Sequence, residues 1–177
     1  CGPIRYTALR PATAPHDMAV VPHSRDARID LPKDAGIQDV FRHLANDQAR
    51  TDAIAAEVES IYGQGRKVLV LTERTGHLAA ILEALRGKVP APFVLHGRIS
   101  RKQRATLIRE LNAMPPDAPR VLLATGKLVG EGFDHPPLDT LILAMPVSWT
   151  GTLQQYAGRL HRVHDTKTDV RIIDFVD

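Results

Sequence analysis

The densest concentration of groups suited to phosphate chemistry lies between Thr152 and Val163. The segment Gln155-Tyr156-Ala157-Gly158-Arg159-Leu160-His161-Arg162 reads as a helix. At about 100° per residue, Leu153, Ala157 and Leu160 fall on one side, and Gln155, Arg159 and Arg162 gather on the other. Two guanidinium groups three residues apart, with a glutamine one turn earlier, are planar and permanently charged donors that match phosphate oxygens. Gly158 lets another group approach closely. Where such a guanidinium reaches a transferring phosphoryl group it contributes on the order of 10³ to 10⁵ in rate. Spacing alone leaves the plainer reading open, in which these arginines pair with surface carboxylates.

A second constellation is Ala124-Thr125-Gly126-Lys127-Leu128-Val129-Gly130-Glu131-Gly132-Phe133-Asp134, followed by His135-Pro136-Pro137. Glycines at the carboxyl end of a strand let backbone N–H groups approach a phosphate or sugar, and a carboxylate just beyond accepts hydrogen bonds from ribose hydroxyls. Glycines in that position also serve tight turns, so the stretch is weak by itself. A third feature is basic: Arg98, Arg101, Lys102, Arg104 and Arg109 occur with no acidic residue between them. Such a run either neutralises phosphates or forms a solvated helix face.

Several chemistries are excluded or disfavoured. The pairs Gly87-Lys88 and Gly126-Lys127 have Leu82 and Val121 where a P-loop needs its leading glycine, and Val89 and Leu128 where it needs Ser or Thr. No Asp-Glu pair ends an apolar strand as a magnesium-binding carboxylate site would. This chain alone is therefore not expected to bind and hydrolyse ATP. His161 and His164 share a helical face, but no third ligand is placed to complete a site, so no metal centre is expected. Trp149 and Tyr156 could stack on bases, although packing is the preferred reading.

The elements that must position these groups follow from hydrophobic pattern. The chain has 177 residues, 44% hydrophobic and 24% charged, with a net charge of +3, which suits one compact domain with an appendage. No apolar run approaches the roughly 18 residues of a membrane span. The single cysteine, Cys1, excludes a disulfide framework and favours a reducing cytoplasm. Because the sequence opens on Cys1-Gly2-Pro3-Ile4, it is expected to be a piece of a longer protein. Residues 1–34 hold five of the thirteen prolines and read as a connector with one strand near Met18–Val21.

From residue 35 onward a folded domain is expected. Ile37, Val40, Phe41 and Leu44 mark one helix, and Ile54, Val58 and Ile61 mark a second that begins near Asn46 or Asp47 and ends at Gly63 and Gly65. Lys67–Thr72, Phe93–His96, Val121–Thr125, Thr140–Met145 and Val170–Val176 read as strands. A helix with Leu78, Ile81, Leu82 and Leu85 inward follows the first, and one headed by a capping box of Ser100 and Gln103 follows the second. Strict alternation predicts a mostly parallel sheet between helical layers, with functional residues after Thr72, His96, Thr125 and Met145.

Taken in order, these features resemble the second RecA-like domain of superfamily 2 DEAD/DEAH-box helicases and translocases, with restriction-enzyme translocase subunits among the nearer relatives. Thr72-Glu73-Arg74 resembles motif IV, and His96-Gly97-Arg98 the step that follows it. Thr125 through Asp134 resembles motif V, and Gln155 through Arg162 fits the Q-x-x-G-R-x-x-R of motif VI. The motifs fall within 67–163. The resemblance implies a three-layer α/β/α RecA-like fold over 35–177 and a split active site. ATP and Mg²⁺ would be held mainly by an upstream RecA-like domain. Arg162, with Arg159 and Gln155, would contact the terminal phosphates, and Gly130, Gly132 and Asp134 would meet the sugar side. Nucleic acid, DNA in preference to RNA, would be gripped by Thr72, Arg74, His96, Gly97, Arg98, Thr125, Gly126 and Lys127, aided by Arg101 and Lys102. Two other readings remain: a binding module that keeps the fold without the motor, and a doubly wound transferase for a sugar nucleotide.

Overall fold

In this computed structural model the residues described are 17–24, 36–126, 133–146, 158, 160, 164–165 and 167–176. They form β1 (Asp17–Ser24), α1 (Ile37–Asn46), α2 (Gln48–Gly63), β2 (Lys67–Thr72), α3 (Thr75–Ala84), β3 (Phe93–Leu95), α4 (Arg101–Ala113), β4 (Arg120–Thr125), β5 (Thr140–Leu143) and β6 (Asp169–Val176). The strands make one sheet in the order β1-β6-β5-β2-β4-β3, and every described pairing is parallel.

The strand sequences explain the layering. β2, β4 and β5 are buried along their whole length, which requires apolar side chains on both faces. Val68, Val70, Val121, Leu123, Ile142, Ile173 and Phe175 point to the side covered by α2 and α3, where they meet Ile54, Val58, Ile61, Leu78 and Ile81. Their neighbours Leu69, Leu71, Leu122, Leu141, Leu143 and Ile172 face the other way and pack with Leu111 of α4, Phe133 and Leu160. Period-two alternation thus divides one set of apolar strands between two cores. Phe41 and Leu44 of α1 form a smaller cluster with Met145.

The helix ends are set by local chemistry. Asp47 caps α2 by accepting from the Arg50 backbone N–H at 3.0 Å, and α2 stops before Gly65, whose φ of +79° suits a residue without Cβ. The expected capping box heads α4: Ser100 accepts from the Gln103 N–H at 3.2 Å and Gln103 accepts from the Ser100 N–H at 2.9 Å. At the amino ends of the strands, Arg66 ties three of them together. It bonds Thr140 Oγ1 at 2.7 Å and Asp169 Oδ1 at 2.8 Å, and lies 3.3 Å from Asp139. Partial burial works against the Asp169 carboxylate, but Arg66 and Arg171 outweigh it and hold its pKa below the usual value.

Two strands end earlier than hydrophobic pattern predicts. β3 stops at Leu95 because His96 turns: its Nδ1 accepts from the Arg98 N–H at 3.2 Å and its carbonyl from the Ile99 N–H at 3.2 Å. β5 stops at Leu143, and the Ala144 carbonyl is taken by the buried Arg50 Nε at 3.2 Å. The expected helix at 152–163 lies outside the described residues apart from Gly158 and Leu160.

Candidate functional site

The chain runs from β2 out to β3, returns to β4 and then crosses β2 to reach β5. Open parallel sheets bind ligands at the carboxyl ends of the strands beside such a reversal. Register brings the sequence-predicted residues to that edge. Thr72 pairs with Thr125, and Leu95 pairs with Ala124, so His96 lies level with Thr125 and Gly126 follows. Thr72 and Thr125 are buried, whereas Gly97 and Arg98 are exposed and Arg74 is half-buried.

Thr72 and Arg74 are held by neighbouring groups. Thr72 Oγ1 is 3.0 Å from His77 Nδ1 and accepts the Arg74 backbone N–H at 3.4 Å. The Thr72 hydroxyl therefore fixes the start of α3 rather than standing open. His77 is only 1% exposed, and burial together with nearby Arg50 pushes its pKa down to about 4, so the imidazole is neutral at pH 7. Arg74 reaches back to α1, where its Nη2 donates to the Gln38 carbonyl at 3.1 Å and to Gln38 Oε1 at 2.9 Å. Beside this segment lies a cleft of about 700 Å³, lined by Glu73, Arg74, Thr75, Gly76, His77 and Arg98 on one flank and by Arg42, Asn46 and Gln48 on the other.

Arg98, Arg101 and Lys102 are exposed and pair with no carboxylate among the described residues. They contrast with Arg66, Arg42 and Arg86, which do. Three exposed cations with no carboxylate partner among the described residues, just after the end of β3, favour an anionic partner.

The residues after β4 form a second group. Asp134 is half-buried and lies close enough to Lys167 to support its charge. Burial lowers the Lys167 ammonium to a pKa of about 8, and Asp139 and Asp134 partly offset that fall. His135 is buried; its Nδ1 is 3.0 Å from Asn112 Oδ1 and its Nε2 3.0 Å from Arg120 Nη1. The acceptor at Asn112 and the donor at Arg120 fix the neutral tautomer with the proton on Nδ1. Burial first, then Arg120, His164 and Lys167, bring its pKa to about 4. Arg120 also donates to the carbonyls of Leu111 at 3.2 Å, Ala118 at 3.0 Å and Pro115. The end of α4 and the segment carrying Asp134 are thus joined through one buried guanidinium.

Lys127, Gly130, Gly132, Gln155, Arg159 and Arg162 lie outside the described residues. Of the motif VI helix, Leu160 is buried against the sheet, as its inward assignment requires. Gly158 is exposed with open space where a Cβ would project. Sequence reasoning missed His77, Gln38, Arg50 and Arg120. A signal existed for two of them: Arg50 shares a helical stripe with Ile54, Val58 and Ile61, and His77 one with Ile81 and Leu85, and a polar residue on an apolar stripe must find buried partners. Arg50 does so by donating to the carbonyls of Ala144 at 3.2 Å and Phe175 at 2.7 Å.

A parallel sheet in this order, helices on both faces and polar residues along its carboxyl edge define a RecA-like α/β/α domain. Residues 51–164 match the helicase conserved C-terminal domain, and the chain belongs to that domain family. Among curated relatives it is similar to the probable helicase D10 of Escherichia phage T5, 27% identical over 112 residues, covering 63% of this chain and 24% of the relative. It is also similar to transcript termination protein A18 of fowlpox virus (strain NVSL), 30% identical over 121 residues, covering 67% and 25%. The chain thus spans about a quarter of the length of these relatives.

Solved structures share the fold. T4 UvsW superposes with a TM-score of 0.66 at 17% identity, covering 96% of this chain and 34% of that one. The C-terminal part of the Fun30 ATPase domain gives 0.62 at 22%, covering 72% and 40%. Mss116p DEAD-box helicase domain 2, bound to an RNA duplex, gives 0.57 at 14%, covering 90% and 54%. Among the described residues no helix is long and apolar enough to cross a membrane.

Proposed function

We propose that residues 35–177 are the second motor domain of a cytoplasmic ATP-dependent nucleic-acid helicase or translocase, with 1–34 as the connector from an upstream RecA-like domain. The observation that carries the reading is the meeting of Thr72, Thr125, His96 and Arg98, which pairs with no carboxylate among the described residues, at one strand edge beside the cleft that Arg74 helps line. In this reading Arg74, His96, Gly97, Arg98, Gly126 and Lys127 hold the sugar–phosphate backbone, with Thr72 and Thr125 shaping the strand ends beneath it. Arg101 and Lys102 add sequence-independent attraction. DNA is the proposed track.

The upstream domain would bind ATP and Mg²⁺, which supply the phosphoryl group and the neutralisation of its charge. This chain's part is electrostatic. Arg162 and Arg159, oriented with Gln155, stabilise charge on the transferring phosphoryl group, and Asp134 with the amides at Gly130 and Gly132 receives the ribose side. Closure of the two domains on nucleotide changes the distance between two backbone grips, which couples hydrolysis to movement.

The test is polynucleotide-stimulated ATP hydrolysis by the longer protein that carries this domain. Arg162→Ala is expected to lower kcat by about 10³ or more with nucleotide binding retained, and the 177-residue chain alone is expected to hydrolyse no ATP. An undiminished kcat in the variant refutes the arginine assignment.

A further inference from the structure

We propose that Arg42 is a further nucleic-acid-binding residue, and that the junction of α1 and α2 forms the second wall of the backbone groove. The inference rests on the grip described above and extends it to residues that precede the matched helicase region, which begins at residue 51.

The cleft of about 700 Å³ has two walls of different origin. Arg74, Gly76 and Arg98 line one, and Arg42, Asn46 and Gln48 line the other. The second wall is fixed in place. Phe41 and Leu44 are buried against Met145, and the Arg74 guanidinium clamps Gln38 of α1 through two bonds, at 3.1 and 2.9 Å. The same arginine that closes the motif IV segment thus holds α1 opposite it. One position after Phe41, Arg42 emerges from the packed stripe with its side chain 66% exposed.

Charge and chemistry identify the occupant. Among the described residues the lining carries three arginines against one carboxylate, Glu73, so these walls favour an anion with several charges. Among the described residues no Phe, Tyr or Trp lines it, so the described walls suit a sugar–phosphate backbone better than stacked bases. Arg42 bonds Asp39 through Nη1 at 3.1 Å, which leaves further guanidinium donors for a phosphate oxygen. An exposed pair of this spacing contributes little, so Arg42 can turn towards a phosphate at small cost.

The test is fluorescence anisotropy of a fluorescein-labelled oligothymidylate with the chain, from about 50 to 200 mM KCl. Loss of one phosphate contact lowers the slope of log affinity against log salt by about 0.7 for a single strand, which is about fivefold in affinity at 0.1 M salt. Arg42→Ala is expected to show that change with an unaltered melting temperature, because Arg42 is exposed, and Arg98→Ala is expected to weaken binding as well. If Arg98→Ala weakens binding while Arg42→Ala keeps the wild-type slope and affinity, the second wall is refuted and the grip stands. If neither variant alters binding, both fail.

Discussion

Replacing His77 with a residue that cannot titrate should remove a defined part of the domain's acid sensitivity. The folded imidazole has a pKa of about 4 because it is buried and Arg50 lies near it, against an ordinary value of 6.5. Between these values the unfolded chain binds a proton that the folded chain refuses, so stability falls as pH drops through this window and is fully present above about 6.5. At pH 5 the unfolded imidazole is almost wholly protonated and the folded one about a tenth protonated, a difference of about 2 kcal/mol relative to neutral pH. Urea unfolding at pH 7 and pH 5 measures it. His77→Gln should lower stability at pH 7, because the contact with Thr72 Oγ1 at 3.0 Å is altered, yet lose about 2 kcal/mol less than wild type between the two pH values. His77→Leu provides the same comparison without an amide. Equal pH dependence in wild type and both variants would show that His77 charges as readily in the fold as in water, and the description of a neutral support beneath the strand edge would fail.

Two further perturbations probe the buried arginines. Arg50→Met strands the carbonyls of Ala144 and Phe175 at the ends of β5 and β6, and should cost about 2–6 kcal/mol in urea unfolding, at about 1–3 kcal/mol for each unsatisfied carbonyl; a loss below about 1 kcal/mol would mean those carbonyls find other donors. Arg120→Met removes donors from Leu111 and Ala118 and the partner of His135 Nε2. It should cost roughly 3 kcal/mol and speed amide exchange at the described residues 133–135, whereas unchanged exchange there would show that the α4 junction does not hold that segment.

The fold was legible in sequence wherever burial on both faces forced an uninterrupted apolar run. Lys67–Thr72 needed no tertiary information, because a strand between two strands and two helical layers favours an apolar centre such as Val68–Leu71, and all six positions are buried. The capping box at Ser100 was equally local, since both of its bonds lie within four residues. Strand ends were less legible because long-range partners set them. Nothing within Thr140–Met145 says that the Ala144 carbonyl will be taken by Arg50, 94 residues earlier in the chain. The carboxyl-edge placement of Thr72, His96 and Thr125 followed from alternation alone, but their supports did not. His77 lies on a helical stripe that otherwise reads as apolar, and its purpose appears only once Thr72 is beside it.

That contrast accounts for how the domain separates stability from chemistry. The carboxylates that neutralise Arg66 lie at the amino ends of β5 and β6, in Asp139 and Asp169, so that end of the sheet is closed by its own ion pairs. At the opposite end Arg98 has no such partner among the described residues, and Arg74 spends one nitrogen on Gln38 rather than on an acid. A neutral amide orients a guanidinium without cancelling its charge, whereas a carboxylate would do both. A buried neutral histidine serves the same end, because His77 supports Thr72 by a hydrogen bond without adding charge at pH 7. Acids therefore lock the amino ends of β5 and β6, while a neutral amide holds Arg74 and leaves its charge available to an anion.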